Sequence, residues 1–426
     1  MSSVRLPTHL RMPPSQHNRD SLIATLLALF QFSLFGFSVH TLGSQIVPAL
    51  KPDQQLLVVY AIFAAGGIAR LVGSIALSPL GDRLGSTTLL RRSLKLMAVA
   101  TLFIGVFPGA SQVGAMTAGI VLLALRLVQC VALGGEYTAS LSYAVDGAAP
   151  GRRSWSSSLA PAGAQIGFLL ASLSTALVIQ ALGDGATATW GWRIPFLFAG
   201  LLGLVHSQGF GRTDQRQVLA QPIKTRSKFQ GLRKQWRRVL AVAAVAAFPL
   251  VVFNVLFVYF VNLQTMSGGI LTAQATFLTS LVQVLAVPLL LAGGRLGDRL
   301  GDRRLTVICS LILAAVTLPA TIMASASPLG MLAAQILVVI PMYVVFSLQG
   351  SVLSSWLPKD DRTTVFALAY NIANLIAALS LIVSSITMQT LGITFGPGLF
   401  CMAWAPPCLL ALGWLTREAT GSSRSA

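Results

Sequence analysis

The pentapeptide Gly-Asp-Arg-Leu-Gly occurs twice, at Gly81 to Gly85 and at Gly297 to Gly301. Each copy sits between long apolar stretches, and the offset of 216 residues in a chain of 426 gives both the same place in their own half. Self-similarity on that scale marks an internal duplication, so the fold must be assembled from two related halves.

What kind of halves is set by composition. Apolar residues make up 54% of the chain and charged residues 10%, against roughly 45–50% and 25% in soluble domains. At roughly 20 apolar residues per crossing, such a chain holds about a dozen membrane-spanning helices. Apolar runs and their polar punctuation place spans near 21–47, 55–79, 93–110, 113–143, 156–182 and 190–206, then near 239–262, 272–293, 305–325, 329–356, 363–390 and 395–416. The expected fold is therefore all-α and integral to the membrane, with 12 transmembrane helices in two pseudo-symmetric six-helix bundles. The expected divisions are an N-terminal tail (1–20), a first bundle (21–206), a linker (207–238), a second bundle (239–416) and a C-terminal tail (417–426).

A net charge of +18 would suit a nucleic-acid binder if the charges formed a patch. They do not. Of 30 Lys and Arg, 26 fall in the two tails and alternate connections, Lys51 alone falls on the opposite side, and Arg70, Arg126 and Arg193 lie within or at the edge of spans. That asymmetry follows the positive-inside rule and puts both termini in the cytoplasm of a multi-pass protein of the cell (inner) membrane. The linker is the most basic segment, with nine Lys or Arg against Asp214 alone. The run from Ser21 to Val47 is long for a signal peptide and lacks a small-residue cleavage site, so it reads as a retained first helix. Cys130, Cys309, Cys401 and Cys408 lie in apolar runs without metal-ligand spacing, so neither a disulfide framework nor a metal site is expected.

Each pentapeptide is expected to form the short turn between the second and third helix of its half. Gly81, Gly85, Gly297 and Gly301 can adopt positive φ or admit a close backbone. Asp82 and Asp298 can accept hydrogen bonds from a helix N-terminus, and Arg83 and Arg299 anchor the cytoplasmic side. The one acid deep in a predicted span is Glu136. An intramembrane carboxyl is costly and marks function by default; burial penalises its ionised form, which suits it to proton exchange. Arg126, ten residues earlier and about 15 Å away along the helix, is out of pairing range, so it needs another anion, a substrate or an interfacial group. Arg70 poses the same question. Polar side chains at His40, Asn254, Tyr259, Gln349 and Asn374 are weaker candidates for lining a cavity.

The repeated turns resemble the cytoplasmic motif of the major facilitator superfamily, of form G-x-x-x-D-R-x-G-R/K. The second copy matches at Gly294, Asp298, Arg299, Gly301, Arg303 and Arg304, whereas the first carries Ser78, Ser86 and Thr87 at variant positions. The resemblance implies the major facilitator fold, with these turns acting as a cytoplasmic gate. Arg126-Leu-Val-Gln129 through Gly134-Gly135-Glu136-Tyr137, with Asp146, Pro150, Arg152 and Arg153 and then Trp190 to Phe196, is similar to the metabolite:proton symporter family, and Pro358, Arg362, Tyr370 and Asn371 extend the likeness. What this implies is a secondary transporter of a small organic acid or zwitterion, coupled to protons, working as a monomer by alternating access. Glu136 would carry the proton, and Arg126, Gln31, Gln129, Tyr370 and Asn371 are the substrate-binding candidates. The acid pair usual in that family's first helix is replaced here by a run containing Gln31, which leaves proton-driven export of a metabolite, toxin or drug as the alternative. No cofactor or nucleic-acid partner is implied. An enzyme is disfavoured because no nucleophile–base pair or metal cluster emerges.

Overall fold

The computed structural model describes residues 14–38, 52–108, 110–209, 235–266, 272–357, 362–390 and 395–422. His40, Lys51, Pro358 and most of the basic linker lie outside the described residues.

The described residues form twelve helical rods. The first half contains α1 (Pro14–Phe37), α2 (Pro52–Leu84), α3 (Ser86–Val106), α4 (Ala115–Asp146), α5 (Arg153–Ala186) and α6 (Arg193–Gly209). The second contains α7 (Trp236–Asn254, continued through a wide turn into Phe260–Met266) and α8 (Thr272–Val284 and Ala286–Leu300). It continues with α9 (Asp302–Ala326), α10 (Pro328–Ser355), α11 (Arg362–Ser385, then a wide turn to Thr390) and α12 (Gly396–Ala403 and Ala405–Ser422). Among the described residues, nine of these helices are long and apolar enough to cross a membrane.

The surface confirms the solvent. Phe103, Ile120, Leu173, Leu177, Phe198, Leu201, Phe277, Leu311, Ile336, Ile340 and Leu410 are exposed, while Ser21, Thr25, Gln31, Gln129, Glu136, Ser140, Gln335 and Ser347 are buried. Apolar surface on this scale is untenable in water and natural in lipid, where the backbone satisfies itself within helices.

Helices meet at glycine. A Cβ on Gly73 would stand 2.0 Å from the Val131 carbonyl oxygen, and one on Gly134 would stand 2.1 Å from the Arg70 oxygen, so α2 and α4 touch backbone to backbone. Gly163 and Gly167 bring α5 equally close to Leu22 and Leu26 of α1. Small residues at such crossings allow the close van der Waals packing that drives helix association in lipid.

Two boundaries differ from expectation. α1 begins at Pro14, so Asp20 is helical and buried, with Arg19 at its side 3.6 Å away. The repeated pentapeptide is mostly helix rather than turn: α2 runs through Leu84 and α8 through Leu300, and only Gly85 (φ 86°) and Gly301 (φ 91°) break the rod. The reason is that the Asp of each copy faces outward to another helix, leaving its own backbone free to stay helical.

The close crossings give a stability prediction. Gly73→Val must displace the backbone of α4, so it is expected to cost at least the roughly 1–3 kcal/mol of an overpacked core and to lower the unfolding temperature of purified protein. Gly413→Ala, where a Cβ meets nothing within 4 Å, is expected to leave it level or slightly raised.

Candidate functional site

At the face bearing both pentapeptides, the two halves hold each other reciprocally. Asp82 of α2 accepts the Thr363 and Thr364 backbone N–H groups, each at 2.9 Å, and also the Thr364 hydroxyl. Asp298 of α8 accepts the Ser154 N–H at 2.8 Å and the Trp155 N–H at 3.1 Å. Thus the carboxylate of the first copy caps α11 in the second half, and that of the second copy caps α5 in the first. The first N–H groups of a helix have no partner within it and carry its positive dipole end, so a carboxylate is the favoured cap.

The remaining motif residues serve the same contact. A Cβ on Gly81 would stand 2.7 Å from Thr363 Cγ2, and one on Gly297 would stand 2.9 Å from Ser154 Cβ. Arg83 and Arg299 are exposed. The Arg295 guanidinium lies over the Trp155 ring at 4.4 Å. Asp146, at the end of α4, pairs with Arg362 at the start of α11.

Deeper in the protein, Glu136 is buried in α4, ten residues or about 15 Å from the Asp146 end. Its Oε1 accepts the Thr25 hydroxyl of α1 at 3.3 Å, and its Oε2 has no hydrogen-bond partner. Its neighbours on α4 reach the other half. The Gly134 carbonyl accepts Asn371 Nδ2 at 2.7 Å, and the Tyr137 ring stacks on Tyr370 with centroids 5.1 Å apart. Asn371 also donates to Ala367 at 2.8 Å, and its Oδ1 is unpartnered.

The two intramembrane arginines differ. Arg126 is 5% exposed; its Nη1 donates to the Phe32 carbonyl at 2.7 Å and to Gln129 Oε1 at 3.3 Å. The Phe32 and Phe35 rings cover its guanidinium at 3.8 and 4.8 Å, a desolvated cation–π arrangement worth about 2 kcal/mol or more. Gln129 completes the set by donating to Thr101 at 2.8 Å. Arg70 of α2 is partly exposed although it lies about 18 Å in from Asp82. Its Nε has no hydrogen-bond partner, no carboxylate among the described residues is within ion-pair distance, and its backbone oxygen packs against Gly134, two residues before Glu136 on α4.

The structure therefore sets Tyr370 and Asn371 against Tyr137 and Gly134, the residues that flank Glu136 on α4, while the Glu136 carboxyl itself turns to Thr25 of α1; it places Arg126 with Gln129 elsewhere in the first half. Gln31 stands apart: it donates to Leu27 at 2.9 Å on its own helix and packs where a Cβ on Gly203 of α6 would meet it. Arg193 ties the Phe107 carbonyl to α6 at 3.1 Å. Asn254 bonds the Ala377 carbonyl at 2.7 Å, Asn374 bonds Tyr370 of its own helix at 2.8 Å, and Tyr259 packs on Phe260. Gln349 is buried with both amide atoms unpartnered.

One cluster escaped the sequence reading. Gln165 of α5 donates to Gln283 of α8 at 2.5 Å, and the Tyr343 hydroxyl of α10 meets the same Gln283 oxygen at 3.3 Å. Each glutamine is an isolated amide within an apolar run, which was the available signal.

Twelve helices in two related halves, joined at mid-depth by Asn371 on Gly134 and Tyr370 on Tyr137 beside a buried carboxyl, have the form of a membrane carrier. The profile of the Major Facilitator Superfamily matches residues 240–426, and that of the sugar (and other) transporters matches residues 21–210. The proline/betaine transporter of Salmonella typhimurium is 25% identical over 82% of this chain and 73% of its own length. The citrate-proton symporter of Klebsiella pneumoniae is 26% identical over 94% of this chain and 91% of its own. The ectoine/proline transporter of Corynebacterium glutamicum is 25% identical over 94% and 83%. Among solved structures, the proton:xylose symporter XylE superposes with a TM-score of 0.74 at 19% identity, covering 95% of both chains. The human organic anion transporter MFSD10 does so with 0.67 at 16%, covering 95% of this chain and 100% of its own.

The chain belongs to the major facilitator superfamily, with the twelve-helix fold of that superfamily and the likeness to its metabolite:proton symporters. It is a multi-pass membrane protein and a secondary transporter rather than an enzyme.

The reciprocal caps give the second prediction. Asp82→Ala and Asp298→Ala each remove hydrogen bonds to a charged acceptor, worth roughly 1.5–3 kcal/mol, from contacts that join the two halves at this face. Spin labels at the exposed positions Arg92 and Arg304 are expected to show a longer-distance population in either variant than in wild type.

Proposed function

We propose that the protein carries a small organic acid or zwitterion together with protons across the cytoplasmic membrane, as a lipid-embedded monomer alternating between its two six-helix bundles. The basic face with the two pentapeptides is the cytoplasmic face, both termini lie on it, and the capped Asp82 and Asp298 are its closed gate. The substrate class rests on the relatives, which are named for proline, betaine, ectoine and citrate.

The observation that carries the proton coupling is the environment of Glu136: a buried carboxyl with one free oxygen, flanked on its own helix by two residues that grip α11. When Glu136 is ionised, it is the anion whose field Arg70 feels; when it is protonated, that cation is left uncompensated in a low-dielectric site. A substrate carboxylate then supplies the missing charge. Proton and anion thereby favour each other's binding, which is the linkage a symporter requires. Arg70 is the hook for the anion, with Tyr370 and Asn371 beside it. Arg126, already held by a carbonyl, an amide and two rings, braces the wall with Gln129.

In proteoliposomes under an imposed pH gradient, Glu136→Gln is expected to abolish gradient-driven accumulation of whichever of labelled proline, betaine, ectoine or citrate the wild type concentrates. Accumulation surviving unchanged would remove Glu136 from the mechanism. For the same solute, Arg70→Gln is expected to weaken thermal stabilisation of purified protein by on the order of a hundredfold in concentration, the loss of one buried charge pair, and by more than Arg126→Gln does.

Sidedness has its own test, because the four native cysteines are buried. In intact cells an impermeant thiol reagent is expected to reach Gln112→Cys, and to label Arg152→Cys only after the cytoplasmic side is opened.

A further inference from the structure

From Glu136 a ladder of hydroxyls leads toward the pentapeptide face. Thr25 Oγ1 lies 3.3 Å from Glu136 Oε1 and 2.7 Å from Ser140 Oγ, and Ser140 Oγ lies 2.8 Å from Ser21 Oγ. Thr25, Ser140 and Ser21 are each fully buried. Ser140 stands one turn past Glu136 toward the Asp146 end of α4, and Ser21 one turn before Thr25 toward the Pro14 end of α1. The ladder ends one turn from the half-buried His17, whose ring packs on Tyr143 with centroids 4.6 Å apart.

A hydroxyl has one proton to give, so these contacts cannot all be made at once. They resolve into two complete arrangements. The directions the structure fixes, Thr25 to Ser140 Oγ and each serine to the other's carbonyl, are those of protonated Glu136. With Glu136 ionised, Thr25 donates to the carboxylate, and Ser140 must turn from the Ser21 carbonyl to Thr25 while Ser21 donates to Ser140 Oγ. With Glu136 protonated, the acid donates to Thr25 and Thr25 donates to Ser140 Oγ. Ser140 then turns to the Ser21 carbonyl and Ser21 to the Ser140 carbonyl, both at 3.0 Å. Both carbonyl acceptors needed by the second arrangement are already in place. Simple interhelical adhesion would need only one.

We propose that Thr25, Ser140 and Ser21 form a proton wire between Glu136 and the pentapeptide face, running inside the first half and separate from the substrate's path between the halves. The step balances. When the Pro14 end of α1 opens and water reaches Ser21, a proton from that water bonds to Ser21 Oγ, whose own proton passes to Ser140; that of Ser140 passes to Thr25, and that of Thr25 forms the O–H bond on Glu136. Each hydroxyl keeps one proton, the carboxylate gains one, and rotation of the three hydroxyls resets the chain.

This proposal rests on Glu136 being the coupling group, and one experiment separates the two. Reconstituted wild-type protein is jumped from alkaline to acid pH without substrate, and the carboxylic C=O band that Glu136→Gln removes is followed by time-resolved infrared spectroscopy. Ser140→Ala and Thr25→Val are expected to slow the rise of that band several-fold, while Thr25→Ser, which keeps the hydroxyl, restores the wild-type rate. A purely structural role for the hydroxyls would change how much of the band forms at a given pH and leave its rate alone. If Ser140→Ala and Thr25→Val both protonate at the wild-type rate, the wire is overturned and Glu136 stands. If no band is lost in Glu136→Gln, the coupling assignment falls and the wire falls with it.

Discussion

At the pentapeptide face the two halves are joined by two carboxylates that cap helices they do not belong to. Asp82 satisfies the start of α11 and Asp298 the start of α5. Each is carried by the half opposite the helix it caps. A helix start buried in a membrane protein without such partners would be costly, so each half supplies what the other lacks. This reciprocity explains why the pentapeptide is duplicated with its Asp intact while its flanks diverge. Asp302, which stands where a basic residue is usual, sits in the first turn of α9, where an acid suits the helix dipole.

Glycine decides how near the helices come, and hence where the polar groups end up. Because Gly73 and Gly134 let α2 and α4 touch, Arg70 of one and Glu136 of the other are brought to the same depth. Gly67 does the same for α2 and α11, where a Cβ would press on Leu375 at 3.1 Å. Larger residues at those crossings would separate the charged groups that the site combines. The packing glycines and the functional side chains are thus parts of one arrangement.

Much of this was legible in the sequence, and what was not has a physical reason. The duplication, the apolar runs and the charge asymmetry fix the twelve-helix plan because they are local or periodic signals. The pentapeptide's Asp was readable as a helix cap, but not which helix it caps, since Thr363 lies 281 residues from Asp82. The same pairing kept the motif helical where a turn was expected. Glu136 stood out as a lone acid in an apolar run. The two arginines could not be ranked, because what separates them is the Phe32 carbonyl and two aromatic rings contributed by α1. Gln165, Gln283 and Tyr343 come from three helices, and only the fold makes them neighbours. Asp20 belonged to a polar segment whose helicity depends on packing against the rest of the first half.

The stretch from Gly134 to Tyr137 is where these elements converge. Its first residue offers a carbonyl to Asn371 of α11, its last stacks on Tyr370 of the same helix, and between them stands, among the described residues, the one buried carboxyl with a free oxygen. A change in charge at Glu136 is therefore felt within one helical turn of both contacts that join α4 to the opposite half. Those contacts are neutral hydrogen bonds and ring stacking, worth roughly 1 kcal/mol each, whereas adding or removing a charge in a low-dielectric site is worth several times that. The balance of magnitudes makes the carboxyl the stronger partner. The contacts between the halves at this depth are thus the ones nearest to Glu136, and the caps at Asp82 and Asp298 join the same two halves about 15 Å or more toward the pentapeptide face.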